Sequence, residues 1–238
     1  MRKALARLSG RIITFFARAV TAVQPVWQGV DPNAARQRVY FANHASHGDF
    51  ILIWAVLPPR AQRATRPVAG ADYWQAGRLR RFIGIEVFDA LLIARKGGGA
   101  PGAAIARMAG ALDAGASLIL FPEGTRNQTD AVLLPFRAGL YHLALARPEV
   151  DLVPVWIENL NRVLPKGAVI PVPLMCKTIF GAPLHLAAGE GRDAFLARSR
   201  AALLALRPLR EGADGEGAAS GAGASGAGAS GAGGGGAA

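Results

Sequence analysis

The sequence predicts an α/β fold in which a mixed, mostly parallel β-sheet is covered by helices. Three observations predict it. Short apolar runs with strand character alternate along the chain with segments of helical periodicity. The alanine-rich segment 101–114 begins with Pro and is followed by Gly115, the usual placement of these residues at helix ends. Finally, 51% of the 238 residues are hydrophobic, which is enough for one domain with a sizeable core.

The individual elements follow from the hydrophobic pattern. The runs V-Y-F-A at residues 39–42 and S-L-I-L-F at 117–121 are the clearest strands, because both are short and apolar. The helix after the first strand is closed by Pro58 and Pro59. Further strands are predicted at residues 67–70 and 150–157 and within 87–94 and 170–180, and helices at 1–23, 49–57, 73–82, 101–114, 138–146 and 193–206.

The N-terminal helix, residues 1–23, is predicted to be amphipathic, and Pro25 ends its pattern. One side of its helical wheel is apolar and the other is basic, with no acid before Asp31. Such a helix can lie in the interface of an anionic membrane, although a surface helix packed on its own domain would show a similar apolar stripe. The apolar side holds Leu8, Ile12, Phe15, Phe16, Ala19 and Val23, and the basic side holds Lys3, Arg7, Arg11 and Arg18.

Three segments are predicted along the chain. Residues 1–30 form the membrane-interface helix, residues 31–210 the α/β domain, and residues 211–238 a disordered tail. The tail consists of Gly, Ala and Ser repeats, which cannot bury a core. No run approaches the ~20 apolar residues of a membrane-spanning helix. A signal peptide within residues 1–23 is the less favoured interpretation, because Arg18 interrupts the apolar patch.

The charge of the chain points to anionic partners. The formal net charge is +11, and the last 28 residues contain three acids and no base, so the basic excess lies in residues 1–210. A basic surface favours nucleic acid, acidic lipid headgroups or phosphorylated substrates. GC-rich coding would also enrich arginine, so charge alone does not choose among them. The single cysteine, Cys176, excludes an intramolecular disulfide and a cysteine-based metal site.

A first polar motif, N-H-A-S-H-G-D at residues 43–49, directly follows the first strand. At a strand-to-helix corner, Asp49 can begin the helix and point back at His44. A carboxylate on one ring nitrogen fixes the tautomer and leaves the other nitrogen basic, as a general base requires. Two alternatives remain open: Asp49 only caps the helix, or His44, His47 and Asp49 bind a metal, for which no further His or Cys lies nearby.

A second motif, F-P-E-G-T-R at residues 121–126, also follows a strand, where α/β sheets place ligands. Gly124 permits close backbone approach, and Arg126 offers a bidentate fork for a phosphate. Glu123 could hold Arg126 in place or contact a substrate hydroxyl. The alternative is a surface turn with a local ion pair.

A third motif, I-A-R-K-G-G-G at residues 93–99, ends a strand with two cations and a glycine run. It could bind a phosphate, or it could be a flexible connection with solvated charges. It is not a nucleotide-binding loop, because no Gly-Lys-Ser/Thr follows at the required spacing.

The order of these motifs resembles the lysophosphatidic acid acyltransferase family, the bacterial glycerolipid acyltransferases. Residues 43–49 and 121–126 resemble the first and third blocks of that family, and Arg95 resembles the second. Residues 153–155 (V-P-V) resemble the fourth block, and residues 136–139 (F-R-A-G) resemble the Phe-Lys-x-Gly segment before the following helix. The resemblance covers roughly residues 38–160.

The resemblance implies an O-acyltransferase of phospholipid biosynthesis. The fatty acyl group would pass from acyl-carrier protein or acyl-coenzyme A to a hydroxyl of lysophosphatidic acid or a related lysolipid, with no acyl-enzyme intermediate and no further cofactor or metal. The residues implied are His44 and Asp49 as the catalytic dyad, and Arg95, Glu123, Gly124, Thr125 and Arg126 as the substrate phosphate site.

The expected partners are the acyl donor, the lysolipid and an anionic membrane surface, and not nucleic acid. The expected location is peripheral, on the cytoplasmic face of the inner membrane. Two other classes of protein fit the motifs less well. A basic lipid- or nucleic-acid-binding protein would have no reason to carry His-x4-Asp and Glu-Gly-Thr-Arg after successive strands. An acyl-thioester hydrolase would need a covalent nucleophile or a held water, and the sequence indicates neither.

Overall fold

The structure is a computed structural model that describes residues 2–46, 48–94, 102–158 and 176–208. Its helices are α1 (Arg2–Thr21), α2 (Asp49–Val56), α3 (Pro59–Ala64), α4 (Ala71–Trp74), α5 (Arg78–Arg81), α6 (Ala103–Asp113), α7 (Gly139–Ala146) and α8 (Arg192–Ala205), with a π-helix over Phe82–Val87. Its strands are β1 (Gln24–Trp27), β2 (Arg38–Ala42), β3 (Thr65–Gly70), β4 (Leu91–Ile93), β5 (Ser117–Leu120), β6 (Asp151–Glu158) and β7 (Lys177–Phe180).

The described strands form one sheet in the order β1-β7-β6-β2-β5-β3-β4. Neighbouring strands are parallel except β6 and β7, which are antiparallel. The predicted mixed, mostly parallel sheet is therefore confirmed. Strand β2 lies between β6 and β5, with Phe41 opposite both Pro154 and Leu120. The segments that follow β2 and β5 consequently leave the same edge of the sheet side by side.

Helices cover both faces of the sheet. Successive residues of a strand point to opposite faces, so the contacts of β2 show which helices cover each face. Val39 and Phe41 belong to a core cluster with buried residues of α6, α7 and α8. Tyr40 and Ala42 belong to a second cluster, with buried residues of α2. All five residues of β2 are buried. The central strand therefore fixes the start of the His44 segment rigidly.

Most predicted elements are confirmed to within a few residues, and three features differ. Residues 24–27, which the sequence placed with the N-terminal segment, form an edge strand paired with β7. The two prolines that end α2 also begin α3, since Pro is favoured in the first helical turn. The single helix predicted at residues 73–82 is two short helices followed by the π-helix. The predicted tail, residues 211–238, lies outside the described residues.

Helix α1 packs on the domain through Ala6 and Gly10 and through the partly buried Ile13 and Val20, and it leaves several other large apolar residues in solvent. Ala6 is buried, and a Cβ added to Gly10 would touch the Val87 side chain of the π-helix. By contrast, Leu8, Ile12 and Phe15 are exposed, Phe15 to 75%. The stripe seen in the sequence is therefore not the face that packs on the domain. Among the described residues, no helix is long and apolar enough to cross a membrane.

Candidate active site

His44 and Asp49 meet at the corner between β2 and α2. The Nδ1 atom of His44 lies 2.8 Å from Asp49 Oδ2. Asp49 is only 1% exposed and the His44 side chain 11%. The carboxylate accepts the proton of Nδ1, and Nε2 has no hydrogen bond to a described residue. The imidazole is therefore held in the tautomer whose Nε2 can act as a base.

The Asp49 carboxylate shapes the turn before α2. Its Oδ2 atom also accepts the backbone N–H groups of Ala45 at 2.7 Å and Ser46 at 2.9 Å. The residue at the N-cap position is Gly48, and no side chain caps this helix. The alternative in which Asp49 only caps α2 is therefore wrong, because its bonds reach backward to the turn and the imidazole.

Asn43 fastens the same segment to the neighbouring strand β6. Its amide nitrogen donates to the Ile157 carbonyl at 3.0 Å, and its amide oxygen accepts the Ile157 N–H at 2.8 Å. A side-chain amide with one donor and one acceptor can replace a backbone ladder pair in this way. Asn43 thus continues the pairing of β2 with β6 by one residue and aims the next residue, His44. From the sequence alone, Asn43 had no assigned role beyond its place in the motif.

Glu123 connects the second motif to His44. It is only 2% exposed. Its Oε1 accepts the backbone N–H of His44 at 2.7 Å, and its Oε2 accepts the N–H of Leu134 at 2.9 Å. Burial raises the pKa of Glu123 above its ordinary value, and these two N–H groups oppose the rise. Among the described residues Glu123 forms no ion pair with Arg126, so the local ion pair considered from the sequence is not formed.

Phe121 stacks on the imidazole of His44, with ring centroids 4.1 Å apart and planes 18° apart. The stack limits rotation of the ring about its bond to the chain. An aromatic face also attracts the positive charge that the imidazole acquires when it takes a proton. Sequence reasoning assigned no role to Phe121, although its position after β5, the strand beside β2, was a usable signal.

The remaining residues of the second motif lie close to the dyad. The His44 carbonyl accepts the N–H of Asn127 at 2.6 Å, which ties the loop after Arg126 to the His44 segment. Thr125 is exposed, and Arg126 is half-buried and makes no hydrogen bond or ion pair with a described residue. Gly124 has a φ of +71°, a conformation that favours glycine.

Two further features were predicted from the sequence, the Arg95 segment and the fourth block. Arg95 and the glycine run after it lie outside the described residues. The fourth-block segment Val153–Pro154–Val155 is buried within β6, where it forms core rather than a ligand surface. In the part of the chain that the structure describes, no group of three or more His, Cys, Asp or Glu could hold a metal ion.

A family model described as Acyltransferase matches residues 27–158, which is more than half of the chain. The chain belongs to the acyltransferase family. The matched range contains the dyad and the whole second motif, and the resemblance found in the motifs is confirmed.

Characterised relatives agree with this assignment. A 1-acyl-sn-glycerol-3-phosphate acyltransferase of Limnanthes douglasii is 31% identical over 74% of this chain and 61% of its own length. The enzyme of the same name from Escherichia coli K12 is 28% identical over 68% of this chain and 63% of its own length. The chain therefore spans somewhat less than two thirds of these relatives.

A solved structure shares the fold. The crystal structure of the 1-acyl-sn-glycerophosphate acyltransferase of Thermotoga maritima matches with a TM-score of 0.62. The match covers 87% of this chain and 81% of that one, at 19% identity. At that identity the match supports the α/β architecture alone.

Proposed function

We propose that this protein transfers a fatty acyl group from a thioester donor, acyl-carrier protein or acyl-coenzyme A, to the free hydroxyl of lysophosphatidic acid or a related lysolipid. The observation that carries the proposal is the buried Asp49 carboxylate 2.8 Å from Nδ1 of His44. The names of the relatives supply the substrate class, since two of them are 1-acyl-sn-glycerol-3-phosphate acyltransferases.

In the proposed reaction, Nε2 of His44 removes the proton of the acceptor hydroxyl as its oxygen attacks the thioester carbonyl carbon. The carbon–sulfur bond then breaks, and His44 returns the proton to the leaving thiolate. Asp49 stays ionised throughout and stabilises the imidazolium that forms between the two steps. A positioned base of this kind contributes typically ~10²–10⁴ in rate.

The acceptor phosphate is assigned to Arg126, together with Arg95 as the resemblance implies. Arg126 supports this role because its guanidinium has no partner among the described residues and follows directly on the turn that Glu123 ties to His44. A phosphate anchored there would hold the hydroxyl of the same molecule near Nε2, which supplies proximity. Glu123 itself is assigned a positioning role, because both of its oxygens are already occupied by backbone N–H groups.

The direct test is an assay of purified protein with a labelled acyl donor and a panel of acceptors, which include lysophosphatidic acid, other lysophospholipids and water alone. We expect label to appear in phosphatidic acid and to depend on His44. Release of free fatty acid without transfer to any acceptor would instead identify a thioester hydrolase. If well-folded wild-type protein transferred no label to any acceptor, the proposal would be overturned.

We further propose that the protein binds the surface of an anionic membrane through α1, on the cytoplasmic face of the inner membrane. The exposed residues Leu8, Ile12, Phe15 and Phe16 support this, because a water-soluble surface gains nothing from presenting them. Arg11 and Arg18 are exposed on the same helix, and each cation near an anionic leaflet contributes about 1 kcal/mol. A helix lying at the headgroup level would give the active site access to a lipid acceptor.

A vesicle-binding experiment tests the membrane surface. The variant Ile12→Ser with Phe15→Ser should bind phosphatidylglycerol vesicles at least about tenfold more weakly, because two large apolar side chains no longer enter the interface. Both residues are already exposed, so the melting temperature should not fall. The matched control is Val132→Ser with Leu145→Ser, which changes two exposed apolar residues elsewhere. Equal binding by both variants would move the contact to the exposed arginines of α5.

A further inference from the structure

Arg137 is attached to the turn that carries Arg126, although it comes later in the chain. Its backbone N–H donates to the Pro122 carbonyl at 2.8 Å. Its side-chain Nε donates to the Glu123 carbonyl at 3.2 Å. Backbone and side chain are therefore both fastened to the second motif, and Glu123 links that motif to His44.

The Arg137 side chain packs directly against the backbone of Gly124. A Cβ added to Gly124 would collide with Cδ and Nε of Arg137. The φ of Gly124, +71°, is unfavourable for any other residue as well. The sequence predicted a close backbone approach at this glycine, and the group that approaches is the guanidinium stem of Arg137.

The far end of Arg137 is free to bind a ligand. Its side chain is exposed, and its two terminal nitrogens have no acceptor among the described residues. The carboxylate of Glu123 accepts the N–H groups of His44 and Leu134 and does not pair with Arg137. A guanidinium that is fixed at Nε and open at both terminal nitrogens suits the oxygens of a phosphate, which it can bind in a bidentate manner.

We propose that Arg137 is a second phosphate ligand of the active site, acting with Arg126 on the phosphate of the acceptor. The inference rests on the proposed acyl transfer to a phosphate-bearing lysolipid. Arg126 on the turn and Arg137 bonded to it would fix the orientation of a phosphate as well as its position, and the acceptor hydroxyl would thereby be directed at His44. The phosphate of the donor's carrier has the same chemistry, so the experiment must separate the two sources.

The test compares Arg137→Gln, Arg137→Lys and the control Arg60→Gln in steady-state transfer with lysophosphatidic acid and acyl-coenzyme A. Arg60 is exposed and lies in α3, directly before β3, at the end of the sheet opposite the site. Its replacement by Gln removes the same charge as Arg137→Gln. We expect Arg137→Gln to raise the acceptor KM about 10- to 100-fold and to leave the donor KM unchanged. Arg137→Lys should recover only part of this loss, because one ammonium cannot reproduce the fork.

The outcomes separate binding from structure. A purely structural role, acting through the bond to Glu123, would lower kcat in both Arg137 variants without a selective rise in the acceptor KM, and would overturn the inference. A rise confined to the donor KM would assign Arg137 to the donor phosphate and also overturn it. If Arg137→Gln fails to fold, competitive inhibition by glycerol 3-phosphate is measured in Arg137→Lys and in wild type. Weaker inhibition of Arg137→Lys would support the inference, and equal inhibition would overturn it. Absence of transfer in the wild type would instead refute the proposed function.

Discussion

The sheet carries an aspartate–histidine pair at each of its two edges, where the strands end and where they begin, and we propose that only one of these pairs acts in catalysis. At the edge where β2 ends, Asp49 bonds His44 at 2.8 Å. At the edge where β6 begins, Asp151 bonds Nε2 of His185 at 3.0 Å. Both aspartates are buried, so burial and distance do not distinguish the pairs.

The difference lies in the other partners of each carboxylate. Asp151 also binds Arg36, whose Nε and Nη2 reach its two oxygens at 2.7 and 2.9 Å. Its charge is therefore already neutralised by a guanidinium. Among the described residues, the partners of Asp49 besides His44 are uncharged backbone N–H groups, so its charge is available to stabilise an imidazolium. This difference is the reason that we propose His44, and not His185, as the base.

The largest difference between the two edges should appear on removal of each histidine. We expect His44→Ala to reduce transfer by at least about 100-fold, because the general base is lost. His185→Ala should leave the initial rate unchanged, since His185 lies away from the site. Initial rates at saturating donor, with thermal melting as the folding check, measure both. A well-folded His44→Ala protein that loses less than about tenfold would rule out the proposed base.

The two aspartates should separate activity from stability. Asp49→Asn should lower transfer by at least about 10²-fold, because the Ala45 and Ser46 N–H groups keep an oxygen facing His44 but the charge is gone. Asp151→Asn should instead preserve the rate and lower the free energy of unfolding by about 1–2 kcal/mol, because the buried carboxylate loses its ion pair with the exposed Arg36. Denaturant unfolding and transfer rates measure the contrast, and the reverse pattern would break the comparison.

The arginines of the two edges should differ in their effect on the acceptor. Arg126→Ala, and likewise Arg95→Ala, should raise the acceptor KM about 10- to 100-fold, as expected for one charge-assisted contact of about 1.5–3 kcal/mol. Arg126→Lys should recover part of the loss. Arg36→Ala removes the same charge at the other edge and should leave both KM values unchanged. If donor and acceptor KM rose equally in Arg126→Ala, the residue would not belong to the phosphate site.

The smallest effect concerns pH, near His185. A hydrogen bond from Arg198 holds the pKa of Glu190 at about 2, below its ordinary 4.5. A depressed carboxyl pKa stabilises the fold above the ordinary value, and that stabilisation is lost as pH falls from 4.5 through about 2. The melting temperature of wild type should therefore slightly exceed that of Glu190→Gln at pH 7, and the two should converge near pH 2. Transfer at pH 7 should not change, and a changed rate would mean that this edge affects the site.

The sequence predicted the His44–Asp49 pair but not the Asp151–His185 pair. His44 and Asp49 lie five residues apart after a clear strand, so a local turn was enough to bring them together. Asp151 and His185 are distant in sequence and meet only because Leu184 bridges back to Leu152 beside β6. For the same reason the edge strand β1 was missed, since its partner β7 lies far along the chain.

The sequence by itself determined the alternation of strands and helices, the family, and the residue types at two strand ends. These depend on local periodicity and on short motifs. Only the tertiary structure decided how each group is used. Glu123 positions His44 instead of pairing with Arg126, Phe121 stacks on the imidazole, and Arg137 occupies the space over Gly124. In α1, the residues Leu8, Ile12, Phe15 and Phe16 face outward. Each of these contacts joins groups that are distant in sequence or depends on which face of an element packs on the domain. Long-range packing therefore decides it.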